Sequence, residues 1–438
     1  MITKKITIKD GKFVDSFGKS VSLHGVNMVC KEKERGYIGE YGEEDFAKLE
    51  KMGFNVVRYG IFWAAVEPKP GEYDDEYLKK VDEKLKIAAE HGIYTYLDMH
   101  QDLFSSEYED GAPLWATLAG GEKYEKTPLW SEAYLTSEAV KNCFDAFWSD
   151  AKICADVDVK NDTKTDAKTC VELDVKNGTK TDEITDLAFK KSSGESELAG
   201  IQTRFIKMWQ HIADFFKDKP YVIGYDFFNE PFPGKISDMF VYELLMTIKS
   251  KLPNGEQLGF EDMMGMWMED TEKLKLLDTF KDESSYAAIV SNIGGMLREF
   301  DSSILSAFYQ KMRDAIREVD EAAILFLEAN YFSNAGIESG IEVPENSDGE
   351  KDSLCAYSPH GYDLLVDTED YGAECLGRLK VIFDTHKKVA DRLGIPVLVG
   401  EWGCFVKKDA AALKQDKFLR ELYDAYSFSE TYYCYELI

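Results

Sequence analysis

Short apolar runs alternate with longer amphipathic stretches along most of this chain of 438 residues. Such alternation is typical of βα units, in which helices cover a parallel sheet. Several of the runs are almost continuously apolar, as expected for strands that are buried on both faces. Eight of them predict strands, at residues 21–29, 54–62, 93–100, 221–230, 322–329, 354–360, 395–401 and 431–437.

Helical periodicity fills the spaces between these runs. Segment 74–92 carries apolar residues at helical spacing and ends in Gly92, a common helix stop. Segments 307–320 and 375–394 follow the same pattern. Eight strands with intervening helices predict an α/β fold, a single (β/α)8 barrel over residues 1–438. A doubly wound open sheet is the alternative, and it is disfavoured because no GxGxxG motif follows the first strand.

Two insertions interrupt the predicted repeat, at about 150–200 and 235–300. The first is polar and contains a near-duplicate, DVKNDTKTD at 158–166 and DVKNGTKTD at 174–182. Two copies are too few for a solenoid, so a hairpin-like excursion or a mobile loop is expected. The second insertion follows the fourth strand and is rich in methionine.

The charge of the chain limits its partners. There are 52 basic and 81 acidic residues, which gives a formal net charge of −29. Nucleic acid and anionic membrane surfaces are therefore disfavoured as partners. No window of 18 consecutive apolar residues predicts a membrane span. The N-terminal segment lacks the apolar core of a signal peptide, which indicates a cytoplasmic protein or a secreted one whose signal has been removed.

Cysteine spacing gives no metal or disulfide framework. The eight cysteines form no CxxC pair, and no histidine lies at zinc-finger spacing from them. Cys154 and Cys170 lie in the polar insertion and could pair in an exported protein, a point that the sequence leaves open. His100 and Asp102 alone make a poor metal site. The sequence predicts no metal and implies no cofactor.

Polar residues are concentrated where the predicted strands end. Active sites of such barrels lie at the C-terminal ends of the strands. The residues found there are Arg58, Asp98, His100, Asp102, Asn229, Glu230, Glu328, His360, Tyr362, Glu401 and Trp402.

Glu230 and Glu401 form the most informative pair in this set. Each closes an apolar run, FFNEP or VLVGEWG, where a charge requires a reason, whereas most glutamates are solvated surface charges. Glycoside hydrolysis requires two carboxyl groups, one to protonate the leaving oxygen and one to stay ionised. A separation of about 5–5.5 Å between them gives retention of configuration, and about 6.5–9.5 Å gives inversion.

Neighbouring polar residues fit this chemistry, although each also has a structural interpretation. Asn229 could bond the sugar 2-hydroxyl or serve as a turn amide. Arg58 could keep a nucleophilic carboxylate ionised, or form a buried structural ion pair. His360 and Tyr362 could orient that carboxylate and bond the sugar, and a structurally satisfied histidine is the alternative.

The motifs FFNEPFPG (227–234) and VLVGEWG (397–403) resemble those of glycoside hydrolase family 5. A more specific similarity, to its endoglycoceramidase and glycosylceramidase-like branch, extends over nearly the whole chain. It is carried by GVNMVCK (25–31), LDMHQDLF (97–104), NEPFPG (229–234) and SPHGYD (358–363).

This resemblance implies Glu230 as acid/base and Glu401 as nucleophile of a retaining hydrolysis. Lys31 and Asp102 match positions that bind the sugar next to the scissile bond. The implied substrate is a β-linkage between a glycan and a ceramide-type lipid. The residues implied to surround the two glutamates are Arg58, His100, Asn229, His360 and Tyr362.

Two departures from the family accompany this match. The family usually has a tryptophan beneath the sugar in the eighth strand, where Tyr433 stands here; its ring can stack with less area. The C-terminal β-sandwich of the family is also not expected within these 438 residues. The segment from Met263 to Met268 either offers a soft apolar surface to a lipid aglycone or packs as a helix on the barrel.

Other functions stay open at this point. An endo-β-1,4-glucanase or mannanase would have an open cleft with several aromatic subsites. A general β-glucosidase would release a monosaccharide from many aglycones. A non-catalytic sugar-binding barrel is a remote alternative, which the retention of both strand-end glutamates disfavours. The sequence leaves the sugar, the mode of cleavage and the oligomeric state open.

Overall fold

The computed structural model describes residues 2–152, 199–366 and 376–438. The near-duplicate segments, Cys154 and Cys170 lie outside the described residues. Lys152 and Gly200 form an antiparallel bridge, so the two ends of the first predicted insertion meet.

The strands form two sheets. A short antiparallel hairpin of β1 and β2 precedes a parallel sheet of nine strands. The strand bounds are β1 Thr7–Lys9, β2 Lys12–Val14, β3 His24–Met28, β4 Val56–Ile61, β5 Tyr94–Met99, β6 Val222–Asp226, β7 Ile324–Leu327, β8 Cys355–Tyr357, β9 His360–Gly361, β10 Leu398–Gly403 and β11 Ser429–Tyr433.

The parallel sheet closes into a barrel with eight strand positions. Its order is β8-β7-β6-β5-β4-β3-β11-β10-β9, and β8 and β9 are consecutive parts of the sixth strand. The backbone N–H of Tyr357 in β8 donates to the carbonyl of Pro396 at 2.9 Å, and Glu401 in β10 pairs with His360 in β9. The predicted (β/α)8 barrel is therefore confirmed.

Fourteen α-helices lie among the described residues. Their bounds are α1 Glu43–Met52, α2 Trp63–Val66, α3 Asp75–Glu90, α4 Ala133–Thr136, α5 Glu138–Trp148, α6 Ile201–Phe216, α7 Ile236–Lys249, α8 Phe260–Met268, α9 Asp270–Asp278, α10 Glu283–Val290, α11 Gly295–Phe300, α12 Ser306–Arg317, α13 Leu376–Leu393 and α14 Ala410–Tyr426. No helix in the described part of the chain is long and apolar enough to cross a bilayer.

Helix α3 illustrates how the sequence specifies these elements. Asp74, the residue before its first turn, caps the N-terminus. The side chain of Asp74 accepts a hydrogen bond from the backbone N–H of Tyr77. The helix ends just before Gly92, which has a φ of +74°. Its apolar stripe is fully buried against the barrel, which confirms the helix predicted over 74–92.

The eighth predicted strand, 431–437, is displaced in the structure. The strand covers Ser429–Tyr433, and Tyr435–Leu437 forms a 3-10 helix. The polar character of its first residues obscured this start. Glu430 is buried there because its carboxylate accepts a hydrogen bond of 2.6 Å from the indole of Trp402.

The other seven strands are also shorter than predicted, and two of them show a clear cause. The fourth, expected over 221–230, ends at Asp226, and Glu230 has a φ of +48°, a left-handed conformation that no strand contains. The sixth, expected over 354–360, is divided at Pro359, which has no N–H to donate to a neighbouring strand.

Below the active-site end, the barrel is filled by apolar side chains. The β1–β2 hairpin covers this layer with Phe13, whose ring lies 6.5 Å from that of Phe326. The layer consists of Val56, Tyr96, Ile223, Ile324, Phe326, Ala356 and Leu398. The packed interior leaves the opposite, C-terminal ends of the strands for a polar site.

The second predicted insertion, 235–300, is helical. It contains α7 to α11, which follow β6, and residues of α7 to α10 line a cavity together with strand-end residues. Met263 is fully buried, whereas Trp267 and Met268 line a cavity. The packing interpretation is therefore confirmed for Met263, and the contact of this segment with a lipid aglycone stays a prediction.

Candidate active site

The centre of the site is the guanidinium of Arg58, which β4 directs into the barrel and which is fully buried. Its nitrogen atoms lie 2.6 Å from Glu401, 2.8 Å from Glu328, and 2.9 Å from Asp98 and Asp226. One cation thus faces four carboxyl groups from four different strands or strand ends.

This imbalance of charge means that some of these carboxyl groups hold protons near neutral pH. Burial raises the pKa of Asp98 and of Asp226 to about 7, against the lowering effect of Arg58. Burial and the neighbouring Asp226 raise the pKa of Glu328 well above its usual range. Arg58 is therefore held in a network that can store protons beneath the site.

Glu401 lies at the C-terminal end of β10 with both carboxylate oxygens hydrogen-bonded. Oε1 accepts from Arg58 Nη1 at 2.6 Å, and Oε2 accepts from the Tyr362 hydroxyl at 3.0 Å. Burial raises its pKa to about 7, while His360 and Arg58 act to lower it. Both hydrogen bonds stabilise the ionised form, which a nucleophile requires.

Glu230 approaches the same point from the end of β6. Its left-handed backbone is held by Glu328, whose Oε2 accepts from the Glu230 backbone N–H at 2.8 Å. Its Oε1 accepts from Asn334 Nδ2 at 2.6 Å and lies 3.0 Å from His360 Nδ1. Burial, reinforced by Asp102, raises its pKa to about 8, as a general acid requires.

The two glutamates lie at a separation that favours retention. One ligand atom each from Glu230, Glu401 and His360 all lie within 4.8 Å of one another. This upper limit fits the roughly 5–5.5 Å of retaining glycosidases and lies below the roughly 6.5–9.5 Å of inverting ones. Burial lowers the pKa of His360 to about 3, so a neutral imidazole lies beside the pair, with Nδ1 3.0 Å from Glu230 Oε1 and 3.7 Å from Glu401 Oε2.

A second chain of polar groups lines the other side of the site. His100 Nδ1 lies 2.7 Å from Asp98, which leaves Nε2 buried and without a hydrogen-bond partner among the described residues. Burial lowers the pKa of this histidine well below its usual range, so Nε2 can accept a hydrogen bond when Nδ1 donates to Asp98. Lys31 Nζ bonds to Asp102 and lies 5.7 Å from the Tyr433 ring centroid.

Asn229 is held rigidly next to Glu230. Its Oδ1 accepts from Arg58 Nη2 at 2.9 Å, and its Nδ2 donates to the carbonyl of Gln101 at 3.1 Å. The second hydrogen of that amide can be donated to a sugar hydroxyl. The position is consistent with the predicted role, since the amide is fixed before substrate arrives.

The structure brings the sequence-predicted residues together at one cavity. Arg58 and His360 lie directly behind its wall, in contact with the two glutamates. The residues that line the cavity itself are Lys31, His100, Asp102, Asn229, Glu230, Tyr362, Glu401 and Tyr433.

Sequence reasoning missed two contributors. Asp226 binds Arg58 from inside an apolar run, and an acidic residue four positions before Glu230 was the available signal. Asn334, which donates to Glu230, lies in a 3-10 helix over Tyr331–Ala335 and belongs to no motif, so only the fold identifies it.

Three acidic clusters in the described residues have ligand atoms close enough for a metal ion. Two of them already contact a side-chain cation. Arg58 binds the cluster Asp98–Asp226–Glu328. In the cluster His100–Asp102–Asp110, Lys31 bonds to Asp102 and lies 4.0 Å from Asp110. The third contains the two glutamates. The clusters are Asp98–Asp226–Glu328, His100–Asp102–Asp110 and Glu230–His360–Glu401.

The cavity has a volume of about 390 Å³, and its lining changes in character. The strand ends supply the polar residues given above. The helices and loops around α7 to α10 supply apolar residues, among them Phe240, Leu244, Ile248, Trp267, Ile289 and Ile337. The polar residues around the two glutamates and the apolar residues of α7 to α10 thus line one cavity. The two sets approach each other at the 3-10 helix Tyr331–Ala335, where Asn334 donates to Glu230 and the Phe332 ring lies 4.5 Å from that of Phe240.

The sequence profile of Cellulase (glycosyl hydrolase family 5) matches residues 14–436. The chain belongs to glycoside hydrolase family 5. The match includes every strand of the barrel and both glutamates.

Individual members of glycoside hydrolase family 5 are similar to this chain over part of their length. An endoglycoceramidase of Hydra vulgaris is 28% identical over 234 residues, and one of Cyanea nozakii is 30% identical over 236 residues. Each match covers 51% of this chain. The chain spans only 40% and 41% of those two relatives.

Solved structures share the fold of this family 5 chain. The ganglioside GM3 complex of endo-glycoceramidase II from Rhodococcus sp. has a TM-score of 0.64 and 24% identity, over 97% of this chain and 76% of that one. A lactosyl-enzyme intermediate of the same protein has a TM-score of 0.64 and 22% identity, over 98% and 75%. At this identity the similarity shows the common barrel.

Replacing Glu328 by Gln tests whether Glu328 holds the backbone of Glu230 in its left-handed conformation. A glutamine can accept through only one terminal atom, so either the Glu230 N–H loses its acceptor or Arg58 Nη2 keeps only Asp98 and Asn229 and faces a second donor. A buried donor left unsatisfied costs about 1–3 kcal/mol. We expect a lower denaturation midpoint and a fall in kcat of about tenfold or more. Glu342→Gln, at an exposed ion pair, is the matched control, and wild-type kcat in Glu328→Gln would contradict this role.

Proposed function

We propose that this protein is a retaining β-glycosidase that cleaves the bond between a sugar and a lipid aglycone of the ceramide type. The observation that carries the proposal is that the two buried glutamates share one cavity with polar strand-end residues and with apolar residues of α7 to α10. We place the sugar of a β-glycoside among the polar residues and its aglycone among the apolar ones.

In the first step, Glu401 attacks the anomeric carbon and forms a covalent glycosyl-enzyme. Arg58 and Tyr362 hold the attacking carboxylate in its ionised form. Glu230 gives its proton to the glycosidic oxygen, so that the aglycone leaves as a neutral alcohol. The elevated pKa of Glu230 keeps that proton available near neutral pH.

In the second step, Glu230 acts as a base. Having lost its proton, it accepts one from a water molecule that attacks the anomeric carbon, and the bond to Glu401 breaks. The sugar is released with its original configuration, and Glu230 is protonated again. His360 and Asn334 hold the Glu230 carboxyl in place through both steps.

The polar part of the cavity accounts for sugar binding. Lys31 and Asp102 together offer a donor and an acceptor, and His100 Nε2 is a buried acceptor without a partner among the described residues. Tyr433 offers a ring face for stacking against a pyranose. An alternating set of donors, acceptors and one aromatic face is typical of a sugar subsite.

The apolar part of the cavity accounts for the aglycone. Apolar side chains from α7, α8 and α10 surround this space. A second sugar would bind poorly there, because its hydroxyl groups would lose their hydrogen bonds to water without replacement. An alkyl chain gains about 0.8 kcal/mol for each methylene buried there. This contrast favours a lipid aglycone over a polysaccharide.

The relatives support the same chemistry. The Hydra vulgaris and Cyanea nozakii proteins are named endoglycoceramidases, and the Rhodococcus protein forms a lactosyl-enzyme intermediate and a complex with ganglioside GM3. A covalent sugar–enzyme bond is the intermediate that the glutamate geometry of this chain predicts.

Hydrolysis of a panel of glycosylceramides, followed by mass spectrometry of the products, tests the proposal. Release of an intact oligosaccharide with ceramide would support cleavage of the endoglycoceramidase type. Release of a monosaccharide alone would indicate a monoglycosylceramidase or a general β-glucosidase. Activity on a soluble β-glucan without release from any glycolipid would contradict a lipid aglycone and favour the polysaccharide alternative.

Narrowing the apolar part of the cavity should reduce glycolipid hydrolysis selectively. We expect Leu244→Trp to exclude two or three methylenes of the aglycone, a loss of about 2 kcal/mol at about 0.8 kcal/mol each. The ratio of kcat/KM for a glycosylceramide to that for an aryl β-glycoside should fall about thirtyfold. Leu413→Trp, at an exposed position of α14, is the control, and an unchanged ratio in Leu244→Trp would exclude this site for the lipid.

A further inference from the structure

Helix α7 is apolar on two opposite faces. The buried face carries Phe240 and Leu245, which line the cavity. On the opposite face, Met239 is 62% exposed and Tyr242 is 53% exposed, and Met246 continues this stripe at helical spacing. A surface helix usually buries its apolar residues on one face and carries polar residues on the other, so a second, exposed apolar stripe requires its own explanation.

The exposed stripe is continuous with the mouth of the cavity through α8. The ring of Tyr242 lies 5.2 Å from that of Phe260, at the start of α8. At the other end of the same helix, Trp267 and Met268 are half-buried and line the cavity. We call the surface made by Met239, Tyr242, Phe260, Trp267 and Met268 the α7–α8 apolar patch.

We propose that the α7–α8 apolar patch docks on the surface of a lipid bilayer and places the cavity mouth against it. This inference rests on the proposed function, because a ceramide-type aglycone stays in lipid aggregates and has to leave them to reach Glu230. An apolar surface that leads from the outside of the protein into the cavity provides such a route. Exposed contiguous apolar surface next to a binding site generally marks a contact with a partner.

The composition of the patch fits the interface of a bilayer. Tyrosine and tryptophan combine an apolar ring with a polar group, and they concentrate at the boundary between lipid tails and water. Tyr242 and Trp267 lie at the two ends of the patch. Methionine side chains are flexible and adapt to an irregular surface.

The charges around the patch specify the kind of lipid. Four acidic residues lie there, Asp238 and Glu243 on α7 and Glu261 and Asp262 at the start of α8. They outnumber the two nearby lysines, Lys249 at the end of α7 and Lys273, whose Nζ lies 5.6 Å from the Trp267 ring centroid. The whole chain carries a formal net charge of −29. Anionic lipids would be repelled by this surface, so we assign the patch to neutral and zwitterionic lipids, with phosphatidylcholine as the probe.

The test compares vesicle-bound and soluble substrates in a double variant, Met239→Gln with Tyr242→Ser. We expect its binding to phosphatidylcholine vesicles, measured by co-sedimentation, to fall at least tenfold. Its hydrolysis of glucosylceramide embedded in those vesicles should fall by a similar factor. Its kcat/KM for an aryl β-glycoside should stay within twofold of the wild type, because neither residue lines the cavity. Leu413→Gln, 69% exposed on α14, is the matched control and should behave as the wild type in all three assays.

A second measurement follows the tryptophan emission of the wild-type protein and of the variant Trp267→Phe. Brominated phosphatidylcholine should quench part of the wild-type emission, and Trp267→Phe should remove that part. Wild-type vesicle binding in the double variant, or no quenching in the wild type, would overturn the proposal. Self-association through the patch without vesicle binding, seen by sedimentation velocity, would also overturn it. Failure of the proposed function can be distinguished from failure of the docking proposal. If the proposed function is wrong, the protein will not cleave glucosylceramide even when detergent disperses that lipid.

Discussion

Glu401→Gln is expected to lower kcat on any β-glycoside by a factor of about 10⁴ or more, because no covalent intermediate can form. Substrate binding should change little. The amide of glutamine still accepts a hydrogen bond from Arg58, and that guanidinium keeps three other carboxyl partners, Asp98, Asp226 and Glu328. The variant should therefore fold normally and bind a non-cleaved ligand.

The measurements for this variant are kcat, thermal unfolding and calorimetric binding of an unreactive thioglycoside. Glu401→Gly adds a sharper result, because azide can occupy the space of the lost side chain and attack in its place. A single displacement by azide gives the α-glycosyl azide from a β-glycoside. Full activity in Glu401→Gln, or a β-glycosyl azide from Glu401→Gly, would exclude Glu401 as the nucleophile.

Glu230→Gln is expected to make the rate depend strongly on the leaving group. Without an acid, a poor leaving group such as a lipid alcohol should react about 10²–10⁴ times more slowly. A dinitrophenol needs no proton and should still leave rapidly. The glycosyl-enzyme should then accumulate, because no base activates water for the second step. Azide should release it as the β-glycosyl azide.

The pH profile provides a separate test of Glu230. Burial raises its pKa to about 8, so in the wild type kcat/KM for a glycolipid should fall as the pH rises above that value and the acid loses its proton. The acidic limb should follow protonation of Glu401, whose pKa burial raises to about 7. The two limbs belong to the coupled pair. With the same glycolipid, Glu230→Gln should lose the alkaline limb at its lower rate, and persistence of that limb would assign it to another group.

The barrel was predictable because its physical causes are local. A parallel strand buried on both faces requires a nearly continuous apolar run, and a covering helix requires an apolar stripe, so both are visible in short windows. The strand-end glutamates were visible for the same reason, since a charge that closes an apolar run is unusual. The start of β11 was missed because Glu430 is satisfied by Trp402, which is distant in the sequence.

The missing parts of the site depend on contacts between distant segments. Asn334 reaches Glu230 across 104 positions, and no local pattern distinguishes it from other turn amides. The apolar part of the cavity is formed by helices of the 235–300 insertion, whose periodicity predicts helices without predicting the space between them. The proton-sharing network around Arg58 likewise arises from four strands that converge only in the closed barrel.

The configuration of the first-formed sugar, followed by proton NMR of the anomeric signal during hydrolysis of a β-glycoside, tests the account most directly. A double displacement by Glu401 and Glu230 predicts that the β-anomer appears first and that the α-anomer grows in only by mutarotation. Initial appearance of the α-anomer would show inversion by a single displacement, which contradicts both the role of Glu401 and the mechanism derived from the short distance between the two glutamates.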